Sequence, residues 1–288
     1  MPAFAGMTAE SVAVLSTTSS SETFAANRAT GAIALTVSAH AGVTRRSRVH
    51  EDGSLRVRFP NATPEALEAV IVNTGGGMTG GDRFSIEMAV GEGASLVAGT
   101  AAAEKIYRSS GGDAEMDVRL MLAPKARLSW LPQETILFDR ARLSRRIDID
   151  LAGDASLIVA EAVVFGRAAM GEAMAEGFFT DRWRVRREGK LIYADTARLD
   201  GAIAEKMAQR AVTKGGIAIA TVLVAPGTDA ALEQVRALGE TFTGEVGISV
   251  WNGLAVARLC ARDGAILRHD LMAVLAALGT PVPRLWLQ

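Results

Sequence analysis

The sequence predicts a mainly β protein of stacked, β-helix-like or sandwich-like strand layers, with about two helices in its C-terminal third. Three observations lead there. Segments of alternating character recur through the first two thirds, as in Phe84-Ser85-Ile86-Glu87-Met88-Ala89-Val90, and a period of two marks a half-buried strand. A turn followed by Ala-x-Leu recurs at Ala94-Ser95-Leu96, Ala126-Arg127-Leu128 and Ala155-Ser156-Leu157, with leucines 32 and 29 residues apart. Helical patterns with caps occur only in the last third. Regular strand–turn–strand units imply stacked or paired layers rather than a parallel sheet wrapped by helices.

Taken in order, residues 1–30 form an expected mobile tail, because Ser16 to Glu22 has nothing to bury. Residues 31–288 are expected as one β-rich domain. The apolar run Ala69-Val70-Ile71-Val72 precedes Asn73-Thr74-Gly75-Gly76-Gly77-Met78-Thr79-Gly80-Gly81-Asp82. Gly75, Gly77 and Gly80 match the dinucleotide pattern GxGxxG, but that loop must open a helix. Here a strand follows, no acidic residue stands where the ribose contact would need one, and no Gly-Lys-Ser/Thr follows. The glycines therefore read as a link between strands, allowing positive φ and close backbone approach. Met116 to Leu122 and Ile147 to Leu151 are further alternating segments, each before one of the recurring turns.

Gly216 to Val224 is an apolar, strand-like run. Thr228-Asp229 caps an expected helix from Ala230 to Leu238, ending near Gly239. Gly247 to Trp251 and Leu254 to Leu259 flank Asn252-Gly253, a preferred hairpin turn. A closing helix from about Leu267 to Leu278 stops at Gly279-Thr280-Pro281, and Leu271, Val274, Leu275 and Leu278 form a stripe suited to packing on the domain's own sheet.

The 288 residues are 49% hydrophobic and 5% aromatic, which predicts a large aliphatic core. Lys+Arg 31 against Asp+Glu 32 gives no overall field for nucleic acid or an anionic membrane. One cysteine, Cys260, excludes an internal disulfide framework and fits the cytoplasm. The first basic residue is Arg28, so no secretory leader is expected, and no apolar run approaches the ~20 residues of a membrane span.

The chain has only three histidines, His40, His50 and His269, far apart in sequence. His50-Glu51 reads as a solvated turn, and His269-Asp270 lies on the closing helix. No nucleophile elbow, zinc-protease helix or paired-carboxylate pattern is present. Single acids in apolar surroundings stand out more, because a buried carboxylate needs a partner. Glu161 interrupts Leu157 to Phe165, Glu134 lies within Trp130 to Phe138, and Glu104-Lys105 precedes Ile106-Tyr107-Arg108. The residues favour internal pairing, of Glu161 with Arg167 and Glu104 with Lys105 or Arg108, with Glu134 capping a turn; the alternative is a passage for a cation. The basic clusters at 45–48, 142–146 and 182–187 alternate with apolar residues and read as solvated strand faces. A charged protein partner is their functional alternative.

Four segments in order resemble the signatures of the urease accessory protein family UreD, also called UreH. They are Asn73 to Asp82, Ala103-Glu104-Lys105-Ile106-Tyr107-Arg108-Ser109, Leu128 to Phe138 and Phe165-Gly166-Arg167-Ala168-Ala169-Met170-Gly171-Glu172. Val282-Pro283-Arg284-Leu285-Trp286 resembles the family's ending. Many relatives have His-Pro-Pro where this chain has Asn73-Thr74, so no histidine metal role carries over there. The aromatic-rich segment upstream in relatives is also replaced by Arg58 to Ala62. The resemblance implies a helix-poor β scaffold, not an enzyme, that binds UreF, through it the GTPase UreG, and apo-urease. It implies help in bringing nickel to the urease active site, with transient Ni2+ and no tightly bound cofactor. Asp82, Glu104, Glu134, Glu161 and Glu172 lie in or beside these motifs and are the expected nickel path. Arg284, Trp286 and His269 are the expected partner-binding residues. The competing readings are an NAD(P)-binding oxidoreductase resting on the glycine loop and a non-catalytic β-repeat structural module.

Overall fold

Residues that recur along the chain stack in register in the structure, a computed structural model that describes residues 28–60, 66–167, 170–280 and 282–287. The expected tail lies outside the described residues up to residue 27, as does Pro281 of the helix stop. The first half of the chain forms β1 (Thr30–His40), β2 (Val43–Gly53), β3 (Leu55–Arg58), β4 (Leu67–Asn73), β5 (Arg83–Val90), β6 (Ser95–Thr100), β7 (Glu104–Ile106), β8 (Ala114–Leu122), β9 (Arg127–Trp130) and β10 (Thr135–Leu137). There follow β11 (Arg142–Leu151), β12 (Ser156–Arg167), β13 (Glu172–Ala173), β14 (Glu176–Arg187), β15 (Lys190–Ala202), helix α1 (Ile203–Ala208) and β16 (Ala218–Ala225). The chain closes with helix α2 (Asp229–Arg236), β17 (Glu245–Trp251), β18 (Leu254–Ala261) and helix α3 (Gly264–Ala277).

Two sheets face each other. The first runs β15-β14-β11-β8-β5-β1-β2, and the second β17-β18-β16-β12-β9-β6-β4-β3. β5, β8, β11 and β14 are parallel neighbours in the first, as β4, β6, β9 and β12 are in the second. The chain adds one strand to each sheet per coil, which is the solenoid-like stacking that the repeat predicts. Leu96, Leu128 and Leu157 are register partners, and Ala94, Ala126 and Ala155 are buried at the turns before them. Ile86, Val118, Ile147 and Trp183 form the matching inner row of the first sheet.

β12 is buried on both faces, which explains its nearly unbroken apolar sequence. Leu157, Val159, Val163 and Phe165 join the core between the sheets, while Ile158, Ala160, Ala162 and Val164 join a second core under the closing helix. Leu267, Leu271, Val274 and Leu275 of α3 are buried there, so the expected stripe packs on its own sheet. α3 begins earlier than expected, because Asp263 caps it by accepting from Ile266 N at 2.8 Å. Thr228 caps α2 as expected, and Asn252 and Gly253 take φ of 51° and 71°, as a primed hairpin turn requires. α1 is a further short helix; its six residues are too few for a period to show. No helix among the described residues is long and apolar enough to cross a membrane.

The glycine-rich segment carries the chain from β4 in the second sheet to β5 in the first, with no helix after it. Its centre is pinned, since Met78 N donates to Lys105 O and Tyr107 N to Met78 O, both at 2.7 Å. A Cβ on Gly80 would lie 1.9 Å from Ser109 Oγ and 2.6 Å from Gly112 O, so close approach is what demands glycine there. Gly76, at φ +76°, has open space around it. Gly80→Ala should therefore lose about 2–3 kcal/mol of stability, and Gly76→Ala only about 1 kcal/mol for its left-handed backbone. Urea midpoints measure both, and equal losses would refute close approach as the reason for Gly80.

Candidate functional site

Three ionisable residues occupy positions that strand alternation assigns to the apolar interior. Arg145 follows Leu143 and precedes Ile147, Ile149 and Leu151 on the inner face of β11. Asp181 lies between Phe179 and Trp183 on β14, and β11 and β14 place Arg145 and Asp181 side by side. Glu161 shares the inner face of β12 with Val159 and Val163. Arg145 is 1% exposed, and its Nε and Nη2 donate to Asp181 Oδ1 and Oδ2 at 3.0 and 2.7 Å. Arg145 Nη1 donates to Glu161 Oε2 and, at 3.4 Å, to Thr135 Oγ1. Trp130 Nε1 donates to Glu161 Oε1 at 2.7 Å, and Trp183 Nε1 to Asp181 Oδ2 at 3.0 Å. Every carboxylate oxygen of the trio has a donor.

Burial pushes the Glu161 carboxyl above its ordinary range; Arg145 opposes this and the Asp181 charge adds to it. Burial pulls Arg145 down, but Asp181 and Glu161 outweigh it, so the guanidinium stays charged. Two expectations are corrected here. Glu161 pairs with Arg145 across the core, not with Arg167, and the 142–146 cluster is not wholly a solvated face. The outward residues of that strand do fit the expectation, with Arg146 facing Asp117 at 3.6 Å.

Glu104 extends this polar line by two strands. β7 pairs with β10 and β10 with β12, so that Glu104, Thr135 and Val163 are neighbours in register. Glu104 is half-buried and accepts from Asn73 Nδ2 at 2.9 Å, rather than pairing with Lys105 or Arg108 as expected. Burial pushes its carboxyl up to about 7, against the lowering effect of Asn73 and Lys105. Asp82 is buried and caps the glycine segment, accepting from Ala29 N and Thr79 N at 2.8 Å each.

The remaining two carboxylates lie elsewhere. Glu134 pairs with Arg268 of α3 at 3.4 Å instead of capping a turn. Both line a cleft of about 610 Å3 with Lys105, Phe138, Arg167 and Met170. Glu172 pairs with Arg167 and accepts from Asp139 N, and the Arg167 hydrogen bond holds its carboxyl below the usual range. The structure thus brings Glu104 and Glu161 to one interior line and places Glu134 and Glu172 outside it. No group of three or more His, Cys, Asp or Glu among the described residues is arranged to hold a metal ion.

At the C-terminus, His269 and Arg284 are exposed. Trp286 points inward, 4% exposed, donating from Nε1 to Leu131 O at 3.1 Å with the Arg268 guanidinium 5.6 Å from its ring centre. It anchors the closing segment to the second core. His40 and His50 are exposed, and His50 lies within β2 rather than in a turn.

The sequence model of the family described as UreD urease accessory protein matches residues 29–287. A urease accessory protein UreD of Rhodopseudomonas palustris strain BisA53 is 56% identical over 271 residues, covering 94% of this chain and 95% of its own. The protein of that name from strain HaA2 is 58% identical over 268 residues, covering 93% and 96%. One from Bradyrhizobium diazoefficiens is 57% identical over 273 residues, covering 95% and 98%.

Two predictions follow from the interior geometry. Arg145→Met leaves two carboxylates buried without their cation and should cost about 3–5 kcal/mol, read by chemical denaturation. Adding Glu161→Gln and Asp181→Asn should recover part of that loss; no recovery would place the defect in packing rather than charge. For Glu104, the raised folded value means stability falls as pH climbs from the unfolded 4.5 to about 7. Glu104→Gln should therefore match the parent's melting temperature below pH 4.5 and exceed it above pH 7. A constant difference across that range would contradict the burial of Glu104.

Proposed function

Because this chain belongs to the UreD urease accessory protein family, we propose that it is a non-catalytic cytoplasmic scaffold that binds UreF, through UreF the GTPase UreG, and apo-urease, and assists nickel delivery to the urease metallocentre. The observation that carries the nickel part is the polar line of Asn73, Glu104, Thr135, Arg145, Glu161 and Asp181 running into a mainly apolar core. Nickel is cargo here, so a useful path offers oxygen and nitrogen donors that bind weakly and release.

The five carboxylates differ in what each gives up on meeting a cation. Glu161, Glu134 and Glu172 exchange an arginine, and Asp82 exchanges two backbone N–H groups. Glu104 exchanges no arginine, only the Asn73 amide and the backbone N–H of Lys105, with the Lys105 charge nearby. Its anion is poorly solvated, which favours an arriving cation, and a proton competes for the same oxygen near pH 7, which favours release. Glu104 is thus the first donor of the proposed path, and the Arg145 trio sets the charge of its inner wall. For UreF, the exposed His269 and Arg284 are the proposed contacts, with Trp286 holding the segment beneath them.

The test is co-expression of the chain with tagged UreF, UreG and the urease subunits, reading urease activity and co-purification together. The parent chain should restore both, and Glu104→Ala should keep the complex while losing most activation. His269→Glu with Arg284→Glu should lose UreF capture. Full activation without the chain overturns the scaffold reading; full activation by Glu104→Ala overturns only the path.

A further inference from the structure

The two sheets have four outer edges, and three of them are short or covered. β3 has four residues. β17 has α2 packed against it. β15 is engaged by α1 and by the β17–β18 hairpin, through Asn252 Nδ2 to Ile192 O at 3.2 Å and Arg258 Nη2 to Asp195 Oδ2 at 2.6 Å. β2 is different: among the described residues its 11 residues pair only with β1, and all but Thr44 and Glu51 are exposed. A long open edge offers unpaired backbone groups to an added strand.

The edge is also basic. Residues 43–60 hold five arginines against two carboxylates, in a chain with formal net charge -1. The register shift at Thr36/Val37 leaves Ser47 out of the pairing, so Arg45 and Arg48 stand opposite Ser38 and Thr36 and share one face, with His50 following opposite Ala34. Ser47 Oγ fills the bulge by donating to Thr36 O at 3.3 Å and meeting Ser38 Oγ at 3.2 Å. The other face is mixed, with Arg46 and Glu51 on either side of Val49 in register with the inward residues of β1. Val49 is 39% exposed and lines a slot of about 400 Å3 whose floor is Val57 and Phe59 and whose rim is Arg46, Glu51 and Arg58; Arg46 lies over the Phe59 ring at 5.0 Å, and Arg58 pairs with Glu51 at 3.1 Å.

We propose that β2 docks an extended acidic segment of a partner protein, added to the sheet edge, with acidic residues facing Arg45 and Arg48 and alternating apolar residues entering the Val49–Phe59 slot. A second copy of this chain is disfavoured as the occupant, because its β2 would bring three more arginines against only Glu51 and Asp52 to an edge that is already basic. The two faces of β2 demand a period of two in the partner, acid on one side and apolar on the other, which a strand supplies. This surface belongs to the scaffold proposed above and rests on that reading; it is separate from the His269 and Arg284 face.

The experiment uses the full chain and a short peptide alternating Glu with Val and Thr, with a Lys-for-Glu peptide and single-stranded oligothymidine as comparison probes. Arg45→Glu with Arg48→Glu is the variant, and Arg119→Glu with Arg182→Glu, elsewhere on the same sheet, is the charge-matched control. The Glu peptide should bind the parent, weaken as salt rises, and bind the Arg45/Arg48 variant roughly tenfold less tightly at unchanged melting temperature, while the control binds like the parent. Equal binding to parent and Arg45/Arg48 variant, no binding to the parent, or preference for oligothymidine would each overturn the inference. Apo-urease and UreF capture, read on the parent in parallel, separates the outcomes: capture by a chain that ignores the peptide sinks the edge and leaves the scaffold, and absence of all capture sinks the scaffold.

Discussion

A guanidinium shut away from water ties the two sheets together. Arg145 enters from β11, holds Asp181 on the neighbouring strand with two parallel bonds, and reaches across the core to Glu161 on β12. None of the three is tolerable alone in an aliphatic interior, since an unpaired buried charge costs several kcal/mol. Their mutual satisfaction therefore fixes which residues of the two sheets face one another. Replacement of such a trio by apolar residues is often neutral or better for stability, so its presence points to register or to a role for interior charge rather than to strength.

Much of the fold was legible because its physics is local and periodic. The Ala-x-Leu turns mark successive coils, and the leucines meet in register since each coil advances by one strand in each sheet. The glycine segment was legible as a link because a strand follows it, and at Gly80 a Cβ would run into Ser109 and the backbone of Gly111 and Gly112. Asn252-Gly253 and the Thr228 cap were legible for the same reason, each being a contact within a few residues.

The trio was not found, although a signal was present. Leu143, Arg145, Ile147, Ile149 and Leu151 share one parity, as do Phe179, Asp181, Trp183 and Val185. A charge on the apolar parity of a strand announces burial, but the neighbouring Arg142 and Arg146 made the cluster look like a solvated face. Glu161 was recognised as needing a partner, yet its partner lies 16 residues away in sequence on the facing sheet. Long-range pairing is what a single sequence conceals: the choice of Arg145 over Arg167 depends on how the sheets are set against each other. Trp286 was hidden in the same way, its indole N–H satisfied by a carbonyl 155 residues distant.

The arrangement separates strength from exchange. Carboxylates that secure the fold are saturated, by arginine at Glu161, Glu134 and Glu172 and by backbone N–H groups at Asp82, and saturation makes them slow to accept anything else. Glu104 is held without an arginine, by the Asn73 amide and the Lys105 backbone, in a place where burial penalises its charge. A group of that kind costs stability at neutral pH, and on the path proposed above it has the most to gain from a cation. The polar line through the core thus grades from Glu104 toward the fixed charges of the trio, where Arg145 repels a cation while its carboxylates attract it. On the nickel path proposed above, such a gradient discourages a deep resting site, which suits a cargo that must leave.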